Sequence, residues 1–341
     1  VLVRDGKIVA VGKDVVVPAG VRVVDYGSDA SLAPGFVSAD SNYNSRSAAE
    51  RTAAPGQLAI DGFDPYTKYQ SALRAGVTSF YLAPARSRLI TGQGAVVKAA
   101  GEGTDSRVLS SSTGLAGSVG ADARNTTGYW QPMLPATVDT GLGVEHQQLP
   151  ATTMGASIAL SEIFALAGGD DSLEAEYGPT AGAILAEMIA SKRPWRMHAD
   201  SPAEVRAVLA AFAGKGLPLV IEGAADAGSV AGEIAAAGAL VIYMPPGAST
   251  RDFGKGSGVQ LPDPAAASQL VAAGVNVAVA PGPEGLSNLQ FSLARAMRGG
   301  MSDEAALAAV TLNAARALGV DSRVGSLVAG KDADLVVLSA H

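Results

Sequence analysis

The fold is decided by residues 194–223, which read PWRMHADSPAEVRAVLAAFAGKGLPLVIEG. Two apolar runs flank an amphipathic segment in which Ser201, Pro202 and Glu204 form an N-cap, a first-turn proline and a capping-box partner. This stretch predicts a strand, a helix and a second strand. Four such strand–helix units follow one another up to residue 300. Apolar strands that alternate with helices indicate a parallel sheet covered by helices.

A similar rhythm begins at residue 32 with LAPGFVSADSNYN. Residues 64–76 predict a helix that begins at Asp64 and Pro65 and ends at Gly76, and residues 77–84 predict a strand. We therefore predict an α/β fold, a distorted (β/α)8 barrel over residues 32–324. The third and fourth barrel strands are not evident between residues 84 and 194, where 92–101 predict a hairpin and 151–167 a helix.

Both ends of the chain have short β-type runs and turns. Asp5 and Gly6 are placed as a hairpin turn. Residues 302–319 predict one helix, after which the chain returns to strands. We expect residues 1–31 and 325–341 to form a small, incomplete β-sandwich domain.

Composition narrows the class of protein. Of the 341 residues, 48% are hydrophobic and 17% are charged, which indicates a globular chain with a large core. The net charge of -7 and the lack of Lys or Arg runs argue against a nucleic acid partner, and no apolar run is long enough to span a membrane. The absence of cysteine excludes disulfides and thiolate metal sites. We expect the chain to form an oligomer and to bind a small molecule or another protein. The composition does not indicate a cellular compartment.

Polar residues at the predicted strand ends are the candidate site residues, because a parallel barrel carries its chemistry there. They are Asp40, Asn42, His198, Asp200, Glu222, Gly282 and Glu284. Asp40 and Asn42 are two residues apart, so both side chains face one side of an extended strand. The alternative is structural: strand-end polar residues commonly bond loop backbone, helix N-termini or arginines, and a lone histidine is more often structural than a ligand.

The chain resembles the amidohydrolase superfamily, and most closely its imidazolonepropionase-like branch. VRDGKIVAVG, LAPGFVSADSNY, GVTSFYLAP, GQGAVVKAAG and RMHAD resemble successive family segments, and residues 312–338, LNAARALGVDSRVGSLVAGKDADLVVL, resemble its closing signature. The resemblance implies metal-dependent hydrolysis of carbon–nitrogen bonds in a barrel beside a small β-sandwich.

The resemblance also implies a set of metal ligands, most of which this chain lacks. Asp40 and Asn42 stand at the family's His-x-His motif, and His198 matches the fifth-strand histidine. Gly223 and Gly282 stand where the family has its sixth-strand histidine and eighth-strand aspartate. Lys98 does not match the bridging lysine of binuclear members. Asp40 and His198 are thus the two candidate metal ligands, and we expect no metal cofactor.

These observations favour a non-catalytic homologue that binds a small-molecule ligand or supports a homologous amidohydrolase subunit. The alternative is an active hydrolase of cyclic amides or acylated peptides. It would use one zinc ion held by Asp40, His198 and either Glu222 or Glu284. A third hypothesis is a metal-free protein that binds a sugar or a small acid at the barrel mouth.

Overall fold

The computed structural model describes residues 1–41, 43, 52–84, 86–124, 129–131, 144–146, 150–245, 263–282 and 285–339. The strands within these residues are β1 (Leu2–Arg4), β2 (Lys7–Ala10), β3 (Ala30–Pro34), β4 (Phe36–Ser38), β5 (Val77–Leu82), β6 (Ile90–Gln93), β7 (Ala95–Lys98), β8 (Val108–Ser110), β9 (Leu115–Ser118), β10 (Tyr129–Gln131), β11 (Val144–His146), β12 (Trp195–Ala199), β13 (Leu219–Gly223), β14 (Leu240–Tyr243), β15 (Val277–Val279) and β16 (Leu335–Ser339).

The α-helices of the described residues are α1 (Gln70–Arg74), α2 (Gly103–Arg107), α3 (Ala121–Arg124), α4 (Thr153–Ala167), α5 (Glu174–Tyr177), α6 (Ala181–Ala190), α7 (Pro202–Phe212), α8 (Ala231–Ala236), α9 (Ala266–Ala272), α10 (Leu289–Arg298), α11 (Asp303–Ala309) and α12 (Leu312–Ala317). Within the part of the chain that is described, no helix is long and apolar enough to cross a membrane.

Two sheets make the wall of a distorted barrel. One has six strands in the order β15-β14-β13-β12-β9-β6, and the other has four in the order β4-β5-β7-β8. Strands β9 and β12 to β15 are parallel to one another, as are β4 and β5. One cluster of buried apolar side chains draws on both sheets, including Val37 and Tyr81 from one and Val220 and Ile242 from the other. The predicted α/β barrel class is confirmed, although among the described residues no strand pair joins the two sheets.

The strand–helix units of the second half form as predicted. Strands β12 to β15 are each followed by a helix, and nearly all of their residues are buried. The capping box before α7 is present, since Ser201 Oγ accepts from Glu204 N at 3.3 Å and Glu204 Oε2 accepts from Ser201 N at 3.1 Å. The candidate residues His198 and Glu222 lie opposite each other near the carboxyl ends of β12 and β13.

The predicted hairpin over residues 92–101 is wrong. Strand β6 pairs with β9, whereas β7 pairs with β5 and β8, so the chain leaves one sheet at Gln93 and enters the other at Ala95. Gly94 makes this crossing, and a Cβ there would lie 1.8 Å from the Tyr81 hydroxyl oxygen. The close packing at this crossing thus requires a glycine within the segment predicted as a hairpin.

Two predicted helices are shorter or divided in the structure. Asp64 starts no helix, because its carboxylate accepts from Tyr66 N at 2.8 Å and from Thr67 Oγ1 at 2.7 Å and closes a local turn, so α1 begins only at Gln70. The helix predicted over residues 302–319 is interrupted between α11 and α12. At the break, the Val310 carbonyl accepts a hydrogen bond from Val37 N at 2.8 Å, which ties the end of α11 to β4.

Strand β9 is a barrel strand that the sequence does not reveal. It lies parallel to β12 and reads LAGS, a segment with no β-branched residue. A Cβ on Gly117 would lie 2.0 Å from the Leu89 carbonyl oxygen. The glycine is therefore required because the backbone at Leu89 lies close to it, and not because of any preference for strand structure.

The two ends of the chain meet. Asp5 and Gly6 both have positive φ and form the turn of the β1–β2 hairpin, as predicted, and β3 pairs antiparallel with β16. β3 spans the predicted boundary between residues 31 and 32, and the division into two domains stays a prediction.

Asp332 fastens these ends to the barrel wall. Its buried carboxylate pairs with Lys7 on β2, with Lys98 on β7 at 2.8 Å and with Arg323 at 2.9 Å. Burial opposes ionisation, but these cations outweigh it and lower the pKa of Asp332 to about 2.

Replacing Asp332 by Asn should lower the free energy of unfolding by about 2–4 kcal/mol at neutral pH, because Lys7 and Arg323 lose this carboxylate and Lys98 keeps only Asp334. The folded pKa of about 2 lies below the ordinary 3.8, so this stabilisation is complete well above 3.8 and is lost as the pH falls through about 2. Chemical denaturation at neutral pH and at about pH 3 measures the change, with exposed Asp14→Asn as the control. A difference between wild type and variant that does not shrink at low pH would contradict this account.

Candidate functional site

Charged side chains from four barrel strands and the loops that follow them gather in one place. Asp40 follows β4, Arg86 follows β5, Arg196 lies on β12 and Glu222 lies on β13. Asp40, Arg196 and Glu222 are all buried, and the Arg86 side chain is 25% exposed. We call these four residues the arginine–carboxylate cluster. Its two positive and two negative charges join the two sheets of the barrel.

Arg86 bridges the two carboxylates. Its Nη2 atom lies 2.6 Å from Asp40 Oδ1 and also contacts Glu222 Oε1, to which Nε donates a hydrogen bond. Neither carboxylate oxygen of Asp40 has a hydrogen bond of suitable geometry among the described residues, so Asp40 is held by charge at ion-pair distance. The side chain of Asp40 therefore pairs with an arginine and does not cap loop backbone.

Arg196 forms the floor of the cluster. Its Nε donates to Glu222 Oε2, its Nη1 donates to the Ala39 carbonyl oxygen at 2.6 Å, and its guanidinium carbon lies 3.9 Å from the centre of the Tyr81 ring. The ring face favours a cation electrostatically, which adds to the ionic contact. Burial raises the pKa of Tyr81 to about 12, so the ring stays neutral beside the cation.

The two carboxylates of the cluster differ in their environments. Burial opposes the ionisation of Glu222, but the charges of Arg196 and Arg86 outweigh it, so the pKa of Glu222 lies well below its usual value. Burial dominates at Asp40 and raises its pKa, although Arg86 and Arg196 oppose this effect. Glu222 is thus the fixed negative charge around which both guanidiniums are arranged.

His198 and Asp200 form a second pair beside the cluster. His198 Nε2 lies 3.1 Å from Asp200 Oδ2, and its Nδ1 lies 3.8 Å from Glu222 Oε1, too far for a hydrogen bond. Burial disfavours the imidazolium, but Asp200 outweighs burial, so the pKa of His198 is raised and that of Asp200 is lowered. Strand register places His198 opposite Glu222 on the parallel strands β12 and β13.

The two candidate glycines differ in how crowded they are. Gly223 has a φ of +91°, and a Cβ there would lie 2.4 Å from Asp200 Oδ1 and 2.9 Å from His198 Cε1. The space that a side chain at 223 would need is therefore filled. Gly282 has a φ of +60°, and its Cβ would have no neighbour closer than Met244 at 3.9 Å.

The structure joins Asp40, His198, Asp200 and Glu222 in one network. Asn42 and Glu284, the remaining candidates, lie outside the described residues. Lys98 lies away from this network, since it pairs with Asp332 and with Asp334 at 2.9 Å.

A family model described as "Amidohydrolase family" matches residues 172–341. The chain belongs to the amidohydrolase family. The matched part contains β12 and β13 and therefore His198, Asp200 and Glu222.

Solved structures of similar fold cover almost the whole chain. An amidohydrolase from Thermotoga maritima matches with a TM-score of 0.80 and 24% identity over 100% of this chain and 89% of the other. A prolidase in complex with N-methylphosphonate-L-proline matches with a TM-score of 0.55 and 18% identity over 99% of this chain and 87% of the other. At these identities the likeness concerns the fold. No curated protein matches the chain.

The described residues do not fit the metal ions that an amidohydrolase barrel implies. Among them, no group of three or more His, Asp or Glu side chains is arranged to hold a metal ion. The carboxylates of Asp40 and Glu222 already pair with guanidiniums. Two unit charges of like sign 4 Å apart repel by about 4 kcal/mol at an effective dielectric constant of about 20, and a divalent ion doubles that repulsion. Each arginine therefore opposes a metal ion beside the same carboxylates.

Sequence reasoning missed both arginines of this amidohydrolase. Arg196 left a signal, because it lies two residues before His198 in an otherwise apolar strand and so points to the same side of the sheet. Arg86 left none: it lies in the loop after β5, and its partner Glu222 is 136 residues away in the sequence.

Glu222→Gln should lower the free energy of unfolding by about 3–5 kcal/mol, because the buried Arg196 and the partly buried Arg86 lose the carboxylate that faces them. Glu233→Gln is the matched control: Glu233 pairs with Arg206 at 2.8 Å, but both side chains are about half exposed and screened by solvent, so we expect a much smaller loss. Urea denaturation of both variants measures the difference. Equal losses of unfolding free energy in the two variants would show that burial does not make the ion pairs of Glu222 more stabilising than an exposed ion pair.

Asp200→Asn should lower the pKa of His198, because the carboxylate that favours the imidazolium becomes neutral. The chain has only three histidines, so NMR titration can follow the ring signals, with His198→Gln assigning the resonance. In the wild type we expect a pKa above the ordinary 6.5. A His198 titration that is the same in both proteins would mean that Asp200 does not hold the ring.

Proposed function

We propose that this chain is a non-catalytic amidohydrolase whose barrel is a metal-free support for a homologous subunit. The observation that carries the proposal is the arginine–carboxylate cluster. Guanidiniums take the place of metal ions as partners of the carboxylates at the strand ends, and the charges balance without a metal.

Hydrolysis by metal-bound water requires an ion with an open coordination position and a group that moves the proton. Asp40 is paired with Arg86, and His198 Nδ1, which has no hydrogen-bond partner among the described residues, lies 3.8 Å from the Glu222 oxygen that Arg86 also contacts, so a guanidinium already neutralises the carboxylates beside both residues. Gly282 stands where the family resemblance places the catalytic aspartate, and glycine has no side chain to move a proton. These features favour a non-catalytic protein over a zinc hydrolase.

The finer family assignment is part of the same proposal. The motifs RMHAD and LVAGKDADLVVL resemble the imidazolonepropionase-like branch. RMHAD contains Arg196 and His198, so a segment that resembles the family motif supplies one guanidinium of the cluster. The chain thus keeps motifs that resemble those of the family, and in one of them, RMHAD, Arg196 forms an ion pair with Glu222.

The first test is the metal content of the full chain, purified without chelators and measured again after incubation with zinc or manganese and desalting. We expect far less than one equivalent per chain, and no turnover of cyclic amides or acylated peptides above the blank. About one equivalent of metal that disappears in Asp40→Ala and in His198→Ala would overturn the proposal and support the mononuclear hydrolase.

The partner is tested separately. The tagged chain, isolated from the cells that naturally produce it, should bring with it an amidohydrolase homologue that keeps its metal ligands. Mass spectrometry identifies that homologue, and analytical ultracentrifugation of the purified pair checks that the complex is stoichiometric. A chain that sediments alone or only with copies of itself would overturn the partner role and leave the metal-free site intact.

A further inference from the structure

We propose that Arg86 acts as the built-in cation of the barrel and is the residue that excludes divalent metal ions from it. This inference rests on the proposed metal-free function and deepens it. It attributes the exclusion of metal ions to the Arg86 side chain and therefore predicts that a variant without this side chain binds metal. The proposed function predicts only that the wild-type chain binds none.

The position of one atom carries the inference. Arg86 Nη2 contacts Asp40 Oδ1 at 2.6 Å and Glu222 Oε1, two oxygens that come from strands in different sheets. His198 Nδ1, which has no hydrogen-bond partner among the described residues, lies 3.8 Å from the same Glu222 oxygen. A positive charge thus sits where two carboxylates and an imidazole nitrogen converge.

Asp40 gives independent evidence that a cation belongs here. Its side chain is 1% exposed, yet neither of its oxygens has a hydrogen bond of suitable geometry among the described residues, and its closest cation is Arg86 Nη2 at 2.6 Å. A buried carboxylate normally requires several such partners. Without the Arg86 guanidinium, Asp40 would retain only Arg196 Nη2 at 3.6 Å.

Arg86 is the better candidate than Arg196 because the two arginines are held differently. Arg196 is bonded to the Ala39 carbonyl and lies against Tyr81, so it is part of the barrel wall. Arg86 comes from a loop, is 25% exposed and bonds chiefly to the two carboxylates, with a weak contact to Met244 Sδ at 3.8 Å. Removing Arg86 leaves the wall in place and opens the space between the oxygens.

The groups left after removal of Arg86 are of types that bind a divalent ion, although no three of them among the described residues are arranged as a metal site while the guanidinium lies between them. Two carboxylates and one imidazole are ligand types that bind manganese and zinc, and the remaining charge of Arg196 balances only one of the two carboxylates. A bound ion would restore the positive charge that the variant lost. The variant should therefore gain metal affinity that the wild type lacks.

The test uses the full chain with manganese as the probe. Arg86→Ala should bind about one equivalent of Mn²⁺, seen by isothermal titration and by loss of the free-ion EPR signal, with an affinity at least tenfold above wild type, and Mn²⁺ should raise its melting temperature. Arg86→Lys keeps a cation and should behave like wild type. Arg206→Ala, which removes an arginine from an exposed ion pair, should gain no binding.

Further variants separate the site from nonspecific binding and from misfolding. Arg86→Ala combined with Asp40→Asn should lose the gained affinity. Arg86→Gln keeps the length of the side chain without its charge, and it replaces the alanine variant if that protein fails to fold. A folded Arg86→Ala or Arg86→Gln protein that binds no Mn²⁺ would overturn the inference, whereas Mn²⁺ binding by the wild type would overturn the proposed function.

Discussion

A buried charge requires an opposite charge close to it, and this constraint determines which side chains meet inside the barrel. Glu222 lies inside the wall on β13, where solvent cannot stabilise its ionised form. Arg86 from the loop after β5 and Arg196 from within β12 supply that stabilisation. Because Arg86 also pairs with Asp40, one ionic network connects β4, β5, β12 and β13. Each of these charged side chains is thus stabilised by an opposite charge from a distant part of the sequence.

The network also explains how a barrel without complete strand pairing is held together at its carboxyl end. Among the described residues, the two sheets share no strand ladder, and their contacts are apolar packing and side-chain bonds. Arg196 on the six-stranded sheet donates to the Ala39 carbonyl beyond β4 of the other sheet. Asp332 has the corresponding role for the chain ends, which it ties to β7 through Lys98.

The sequence predicts the parts of this fold that depend on local patterns. The capping box of α7 and the apolar strands β12 to β15 require only neighbours in the chain, so their prediction succeeded. Strand β9 and the crossing at Gly94 depend on backbone contacts with distant residues, which no local pattern encodes. The site follows the same division. Asp40, His198 and Glu222 could be placed at strand ends by periodicity, whereas the pairing of Arg86 with Glu222 exists only in the folded chain.

The cluster gives the buried carboxylates of the barrel positively charged partners from within the chain. A metal ion in such a barrel joins ligands from several strands, and here two guanidiniums join several strands by charge and hydrogen bonds. Loss of one member leaves its partner charged and buried, which is more destabilising than loss of a whole balanced pair. The four residues are therefore coupled. A substitution that removes one of the guanidiniums leaves a buried carboxylate without its positive partner, and a bound metal ion would supply the missing positive charge.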